Sequence, residues 1–211
     1  MIDLHTHSIF SDGSLIPAEL VRRALFLGLK GIGITDHGDT SNIDFIIPRL
    51  VAVAKDLNRV LNIRVVPGIE ITHVPPVLIA ETVQKARSLG AQLVVVHGES
   101  IVEPVAPGTN LAGIEAGIDI LAHPGLITEK EVIKAKENHV LLEISARKGH
   151  SLSNGHVAGL SRKYGAGMVI NTDAHDPGDL IDLTTAKRIV LGAGLTEKDF
   201  KAMQKNASRF I

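Results

Sequence analysis

Residues 1–8 read Met1-Ile2-Asp3-Leu4-His5-Thr6-His7-Ser8. A short apolar run, Ile2 to Leu4, ends in two histidines two positions apart. In an extended chain that spacing sends both imidazoles to the same side. The pattern returns far along the chain, where Met168 to Asn171 runs into Thr172-Asp173-Ala174-His175. Between these ends, Ile34-Thr35-Asp36-His37, Gly68-Ile69-Glu70, Val94-Val95-Val96-His97 and Ile120-Leu121-Ala122-His123 each close an apolar run with a residue that can bind a metal.

Working outward, the apolar runs alternate with amphipathic stretches. Ile2 to Leu4, Gly31 to Thr35, Ile63 to Ile71, Gln92 to Val96, Ile118 to Ala122, Val140 to Ile144 and Met168 to Asn171 read as strands. Pro67-Gly68 marks a bend inside the third. Helical patterns separate them: Pro17 to Gly28, Ile46 to Leu61, Pro76 to Leu89, Leu111 to Ala116, a capped start at Thr128 with Glu131, and His156 to Tyr164. Thr184 to Leu191 and Thr196 to Met203 close the chain. Strand–helix repeated about seven times predicts a parallel sheet, and closure into a barrel fits the count. The strands are apolar throughout, as expected when both faces are covered. We see no linker or low-complexity tract, so residues 1–211 are expected to form one domain. The longest irregular stretches, Glu99 to Asn110 and Arg147 to Gly155, fall after strands and are expected on the ligand rim.

Composition narrows the chemistry. Cysteine is absent, which leaves His, Asp and Glu as metal ligands. A net charge of -1 supplies no basic field for nucleic acid, and 3% aromatic residues leave few stacking platforms, so no long nucleic acid is expected as a partner. No apolar run approaches the roughly 18 residues of a membrane span. No basic segment followed by an apolar stretch opens the chain, so a cytoplasmic location is expected.

One histidine at a strand end is ordinarily a polar residue meeting solvent. Six such sites at equivalent positions are a different matter, because a parallel barrel brings the C-terminal ends of its strands to one rim. His73, His139, His150 and His156 do not follow this rule. His139 reads as a surface helix end and His156 as a helix start.

The order His-x-His, Ser-Asp-Gly, Thr-Asp-His, Gly-Ile-Glu, His-Gly, Ala-His-Pro and Asp-Ala-His resembles the PHP (polymerase and histidinol phosphatase) superfamily from His5 to His175. The resemblance implies a distorted (β/α)7 TIM-like barrel with a trinuclear metal centre. By that resemblance one ion takes His5, His7, Glu70 and Asp173. A second takes Glu70, His97 and His123, and a third takes Asp12, His37 and His175. Asp12 enters only through the family motif, and Asp36 is expected to have a catalytic role beside the site, orienting a histidine. The cofactors implied are two to three divalent ions of zinc, manganese or iron.

The implied activity is that of a phosphatase: hydrolysis of a small phosphomonoester of the histidinol-phosphate kind by a hydroxide bridging two ions. Three divalent ions set against Glu70, Asp173, Asp12 and that hydroxide leave a surplus of about +2, matched to a phosphomonoester dianion. In the loop after the sixth strand, Arg147 is expected to take phosphate oxygens, with Lys148 and His150 as helpers. A solvated basic loop is the plainer reading of the same residues. The leaving-group acid stays open between a bound water, Asp176 and His150. Two other functions remain in view. One is a nuclease or nucleotide phosphoesterase of the same superfamily, and the other is a metal-binding domain without turnover. An amidohydrolase is the weakest alternative, since His97-Gly98 stands where those barrels usually carry a bridging lysine.

Overall fold

The computed structural model describes residues 1–211. Its strands are β1 (Ile2–Asp3), β2 (Gly31–Ile34), β3 (His37–Gly38), β4 (Arg64–Ile71), β5 (Leu93–His97), β6 (Ile120–Ala122), β7 (Leu141–Ser145) and β8 (Met168–Asn171). Its helices are α1 (Pro17–Phe26), α2 (Ile43–Val60), α3 (Pro76–Ser88), α4 (Thr109–Glu115), α5 (Glu129–Glu137), α6 (Asn154–Tyr164), α7 (Leu183–Gly192) and α8 (Glu197–Ala207).

Every strand pairing is parallel, in the order β1-β2-β4-β5-β6-β7-β8, with β3 also on β4. β2 and β3 occupy one barrel position, interrupted at Thr35–Asp36, so the seven expected strands stand. This is a distorted, nearly closed barrel, with helices outside.

Alternate strand residues face opposite ways, as the two-residue period requires. Ile32, Ile34, Val94, Val96, Leu121, Leu142 and Ile170 pack outward under the helices. Leu4, Val66, Leu93, Val95, Ile120, Leu141 and Val169 fill the interior. The interior is tight: a Cβ on Gly33 would lie 2.7 Å from the Leu4 carbonyl oxygen and 2.9 Å from a Leu93 methyl carbon. The α5 start carries the expected Thr128–Glu131 capping box, and α8 has a second one, Thr196 with Asp199. α2 begins at Ile43, three residues before its expected start. Pro48 therefore falls beyond its first turn, where the ring removes one backbone donor. α4 likewise starts two residues early, at Thr109, which shortens the first rim loop.

The seam between β1 and β8 is closed by few backbone bonds. His7 N–H donates to the Ala174 carbonyl at 2.8 Å and Asp173 N–H to the His5 carbonyl at 2.9 Å. Side chains supply the rest. Leu4 N–H donates to Asn171 Oδ1 at 2.9 Å, and the buried Asp3 carboxylate accepts from Thr172 N–H at 3.1 Å and Thr172 Oγ at 2.5 Å. Below the barrel, Gln204 of α8 bonds both backbone groups of Ile2. Side chains thus replace ladder bonds where the barrel would otherwise gape.

Removing Asn171 strands the buried Leu4 N–H and leaves Glu143 Oε2 with His5 as its one remaining donor. An orphan of this kind costs about 1–3 kcal/mol. Asn171→Ala is therefore expected to lower unfolding free energy by about 1–3 kcal/mol. Urea denaturation checks this, and a change below about 0.5 kcal/mol would show that the seam does not depend on these bonds.

Candidate metal centre

The ends of β1, β3, β4, β5, β6 and β8 converge, and so do the residues they carry. His5 and His7, two apart after β1, are fully buried. His5 Nδ1–H donates to Glu143 Oε2 at 2.8 Å, which fixes the ring and turns Nε2 inward. That Nε2 stands 3.3 Å from Glu70 Oε1 and 3.7 Å from Asp173 Oδ1. His7 Nε2 stands 3.2 Å from Asp173 Oδ1 and 3.6 Å from Glu70 Oε2. On the outer side, His175 Nε2 is 3.1 Å and His37 Nε2 3.6 Å from Asp12 Oδ1. On the third side, His123 Nε2 is 3.6 Å from Glu70 Oε1, and its ring stacks on that of His150 with centroids 3.9 Å apart.

Many of these separations are long for hydrogen bonds, and the atoms involved are otherwise bare. His5 Nε2, both nitrogens of His7 and both oxygens of Glu70 are buried without a hydrogen bond. His37 Nδ1 comes within 2.8 Å of Glu70 Oε2 but bonds Thr72 Oγ at 2.6 Å, so it leaves that oxygen unsatisfied. Buried polar groups are seldom left so. Ligand atoms at about 2.0–2.2 Å from one shared ion stand about 3–3.5 Å from each other, the range many of these contacts fall in. The donor set therefore fits divalent ions on geometry and on chemistry. Groups whose ligand atoms come close enough to share an ion are His5, His7, Glu70; His5, His123, Asp173; His7, Asp12, His37, His175; His97, His123, His150; and His73, His97, Glu103.

Charge compensation without an ion is uneven. Burial alone would depress His5, but Glu143, Glu70 and Asp173 hold its imidazole well above the ordinary value. Burial and the neighbouring His37 push His7 well below. Burial would raise Glu70, yet His5 and His37 keep it well below the usual carboxylate range. Two of the site residues, Asp173 (φ 53°) and His123 (φ 27°), sit in left-handed backbone that non-glycine residues rarely adopt. Strain of this kind persists where the surroundings enforce it.

The nine residues expected as metal ligands thus come together, and His7 stands near enough to serve two groups. Other expectations change. Asp36 orients no histidine: its carboxylate accepts from the N–H and Oγ of both Ser8 and Ser11, holding the turn that carries Asp12. No atom of Asp36 lines the cavity, so nothing favours the catalytic role expected for it. Lys148 is exposed and away from the cavity. Arg147 does reach it. Its Nη1 donates to the Asp173 carbonyl at 2.9 Å and contacts His175 Nδ1. His150 is buried, with Nδ1 bonded to Ser100 Oγ at 2.7 Å and Nε2 facing inward. His156 starts α6 and bonds the Ile127 carbonyl, outside the centre.

Two acids were not foreseen. Glu143 comes from β7, the strand expected to give no ligand. Its signal was a lone charge inside the apolar run Val140 to Ile144. Glu103, in the loop after β5, lies 2.9 Å from His97 Nε2, and nothing in the sequence marks it. The His97 hydrogen bond pulls its carboxyl down to about 2. The cavity at this rim is about 260 Å³, lined by Asp12, His37, Thr72, His73, His97, Glu103, Arg147, His150, Asp173 and His175, with no apolar residue.

Comparison with known proteins agrees with this geometry. Residues 3–151 match the PHP domain family. An uncharacterized protein of Methanocaldococcus jannaschii is 49% identical over 201 residues, covering 94% of this chain and 92% of that protein. Among solved structures, a chain of an archaeal ribonuclease P with mature tRNA superposes with TM-score 0.75 at 17% identity, covering 98% of this chain and 89% of that one. The histidinol phosphate phosphatase of Lactococcus lactis, complexed with zinc, L-histidinol and phosphate, gives TM-score 0.65 at 17% identity, covering 92% and 94%.

Partners that orient a ligating histidine commonly govern metal affinity by about 10–100-fold. Glu143→Gln is expected to weaken zinc binding by about that factor while the far-ultraviolet circular dichroism is unchanged. Competition with a chromogenic chelator measures it, and unaltered affinity would remove Glu143 from the centre.

Proposed function

The chain belongs to the PHP domain family, and on that premise we propose that it is a metal-dependent phosphoesterase acting on a small phosphomonoester at a centre of up to three divalent ions. The observation that carries this reading is Glu70: a buried carboxylate with both oxygens bare, facing His5, His7 and His123 from one strand end. A carboxylate so placed is suited to bridging two ions. His5, His7 and Asp173 would complete one position, His97 and His123 another, and His37, His175 and Asp12 a third.

Divalent ions held there would supply Lewis acidity at phosphoryl oxygens and would make water acidic enough to serve as nucleophile near neutral pH. The chain's own residues do the rest. Glu70 and Asp173 neutralise part of the charge from below. Arg147, braced on the Asp173 carbonyl, presents its remaining N–H groups to the cavity, where a phosphoryl group would accept them. His150, held by Ser100, places Nε2 on the same wall. A small cavity without apolar lining suits the phosphoryl group and leaves the ester's organic part at the mouth. The similarity to a histidinol phosphate phosphatase supports a small phosphorylated substrate. The similarity to a ribonuclease P chain keeps nucleotides in the test. No helix is long and apolar enough to cross a membrane.

Protein stripped with chelator is expected to release no phosphate from phosphomonoesters, and to regain activity with Mn²⁺ or Zn²⁺. A panel of histidinol phosphate, nucleoside monophosphates and a phosphodiester reads out the class. Cleavage of the diester alone would contradict the phosphomonoesterase reading.

In the metal-loaded enzyme, Arg147→Ala is expected to lower kcat/KM by about 10–100-fold, the worth of one charged hydrogen bond. Metal content should remain full. Unchanged kinetics would return Arg147 to the solvated loop.

A further inference from the structure

We propose that Glu103 is an additional metal ligand, delivered to the ion on His97 by the loop that follows β5. This rests on the metal-centre reading and extends it by a residue that the sequence pattern of strand ends does not supply.

Glu103 faces three imidazoles, each through Nε2. Its Oε2 is 2.9 Å from His97 and 3.7 Å from His73, and its Oε1 is 3.4 Å from His150. His97 Nδ1–H is committed to the Gly98 carbonyl at 3.2 Å, so Nε2 is its one nitrogen free for a metal. An ion on that nitrogen takes the place of any proton there and lies beside the Glu103 carboxylate. The carboxylate then stands beside a bare cation at the spacing of two ligands on one ion. Its chemistry matches that need, since a carboxylate is an ordinary ligand for the divalent ions that imidazole binds. His73, His97 and Glu103 hold ligand atoms mutually close enough to share an ion.

The loop is built to hold this carboxylate in place. Glu99 Oε1 accepts from the N–H groups of Gly108 and Asn110, both at 2.9 Å, and Asn110 Oδ1 accepts from Glu99 N–H at 2.9 Å. These bonds tie the two ends of the loop together. Asn110 Nδ2 donates to the Pro124 carbonyl, and Ser100 Oγ bonds His150, which anchors the loop to the next two rim segments. Gly125, at φ 61°, lets the Glu99 carbonyl lie against it where any Cβ would clash. Glu103 therefore projects from a clamped Ω-like loop.

With Glu70, His97 and His123, Glu103 gives that position a fourth protein ligand. A fully closed set is what structural sites use, whereas a catalytic ion keeps one position open. The ion on His97, like the one on His5, His7, Glu70 and Asp173, then has four protein ligands, and an open position falls to the ion on Asp12, His37 and His175.

The test is titration of metal-free full-length protein with Zn²⁺ against a chromogenic chelator, repeated with Co²⁺ to read the visible bands. Wild type, Glu103→Gln, Glu103→Asp and the exposed control Glu129→Gln are compared. The expected result is at least tenfold weaker binding of one ion in Glu103→Gln, with an altered Co²⁺ spectrum for that ion alone. Partial recovery is expected in Glu103→Asp and none of these changes in the control. If wild type binds ions and Glu103→Gln binds every one as tightly, with the same spectrum, Glu103 is not a ligand. Weakening of all ions by a similar small factor would also overturn the proposal, since that is the mark of a lost distant charge. If wild type binds no ion, the metal-centre reading itself fails.

Discussion

Glu70 lies at the end of the longest strand with no exposure to solvent, and neither oxygen has a hydrogen bond. Burying a charge in this way is costly unless it is paired or bound to a metal. Most of what surrounds the centre follows from that constraint. Histidines from β1, β3 and β6 turn nitrogens toward the carboxylate at 2.8–3.6 Å. Further acids back them: Glu143 behind His5, Asp173 between His5 and His7, and Asp12 outside His37 and His175. Imidazoles and carboxylates alternate outward from Glu70, and the chain alone leaves the innermost atoms unsatisfied.

The same requirement ties stability to the site. The seam between β1 and β8 is short of ladder bonds, and the strands that meet there carry His5, His7, Asp173 and His175. Asn171 serves both ends: Oδ1 completes β1 through Leu4, and Nδ2 donates to Glu143, which holds His5. Closing the barrel and positioning the imidazoles are one act. This explains why charged groups lie so deep in a wall otherwise made of aliphatic side chains.

What could be read from the sequence follows from what is local. Strand ends are set by short-range pattern, and a parallel barrel sends all of them to one rim, so His5, His7, His37, Glu70, His97, His123, Asp173 and His175 were visible from position alone. Asp12 was visible only through the motif around it, because a loop residue has no periodicity to betray its direction. Glu143 could have been found as a charge stranded in an apolar strand. Glu103 could not: its place depends on a loop clamped by Glu99, Asn110 and Ser100, contacts that pair residues across turns. Asp36 was misjudged for a related reason. A residue next to a ligand in sequence can face away, and Asp36 turns to the Ser8–Ser11 turn. The interruption at Thr35–Asp36, which splits β2 from β3, likewise arises from pairing with β4 and leaves no local mark.

The account stands on the claim that the bare atoms around Glu70 are metal ligands. Anomalous diffraction from crystals grown with Zn²⁺ or Mn²⁺, recorded on both sides of the metal edge, tests it directly. The account predicts ion peaks within bonding distance of Glu70, with His5, His7 and Asp173 around one and His97 and His123 around another, and a further peak between His37, His175 and Asp12. Metal-saturated crystals in which Glu70 touches no ion would contradict it.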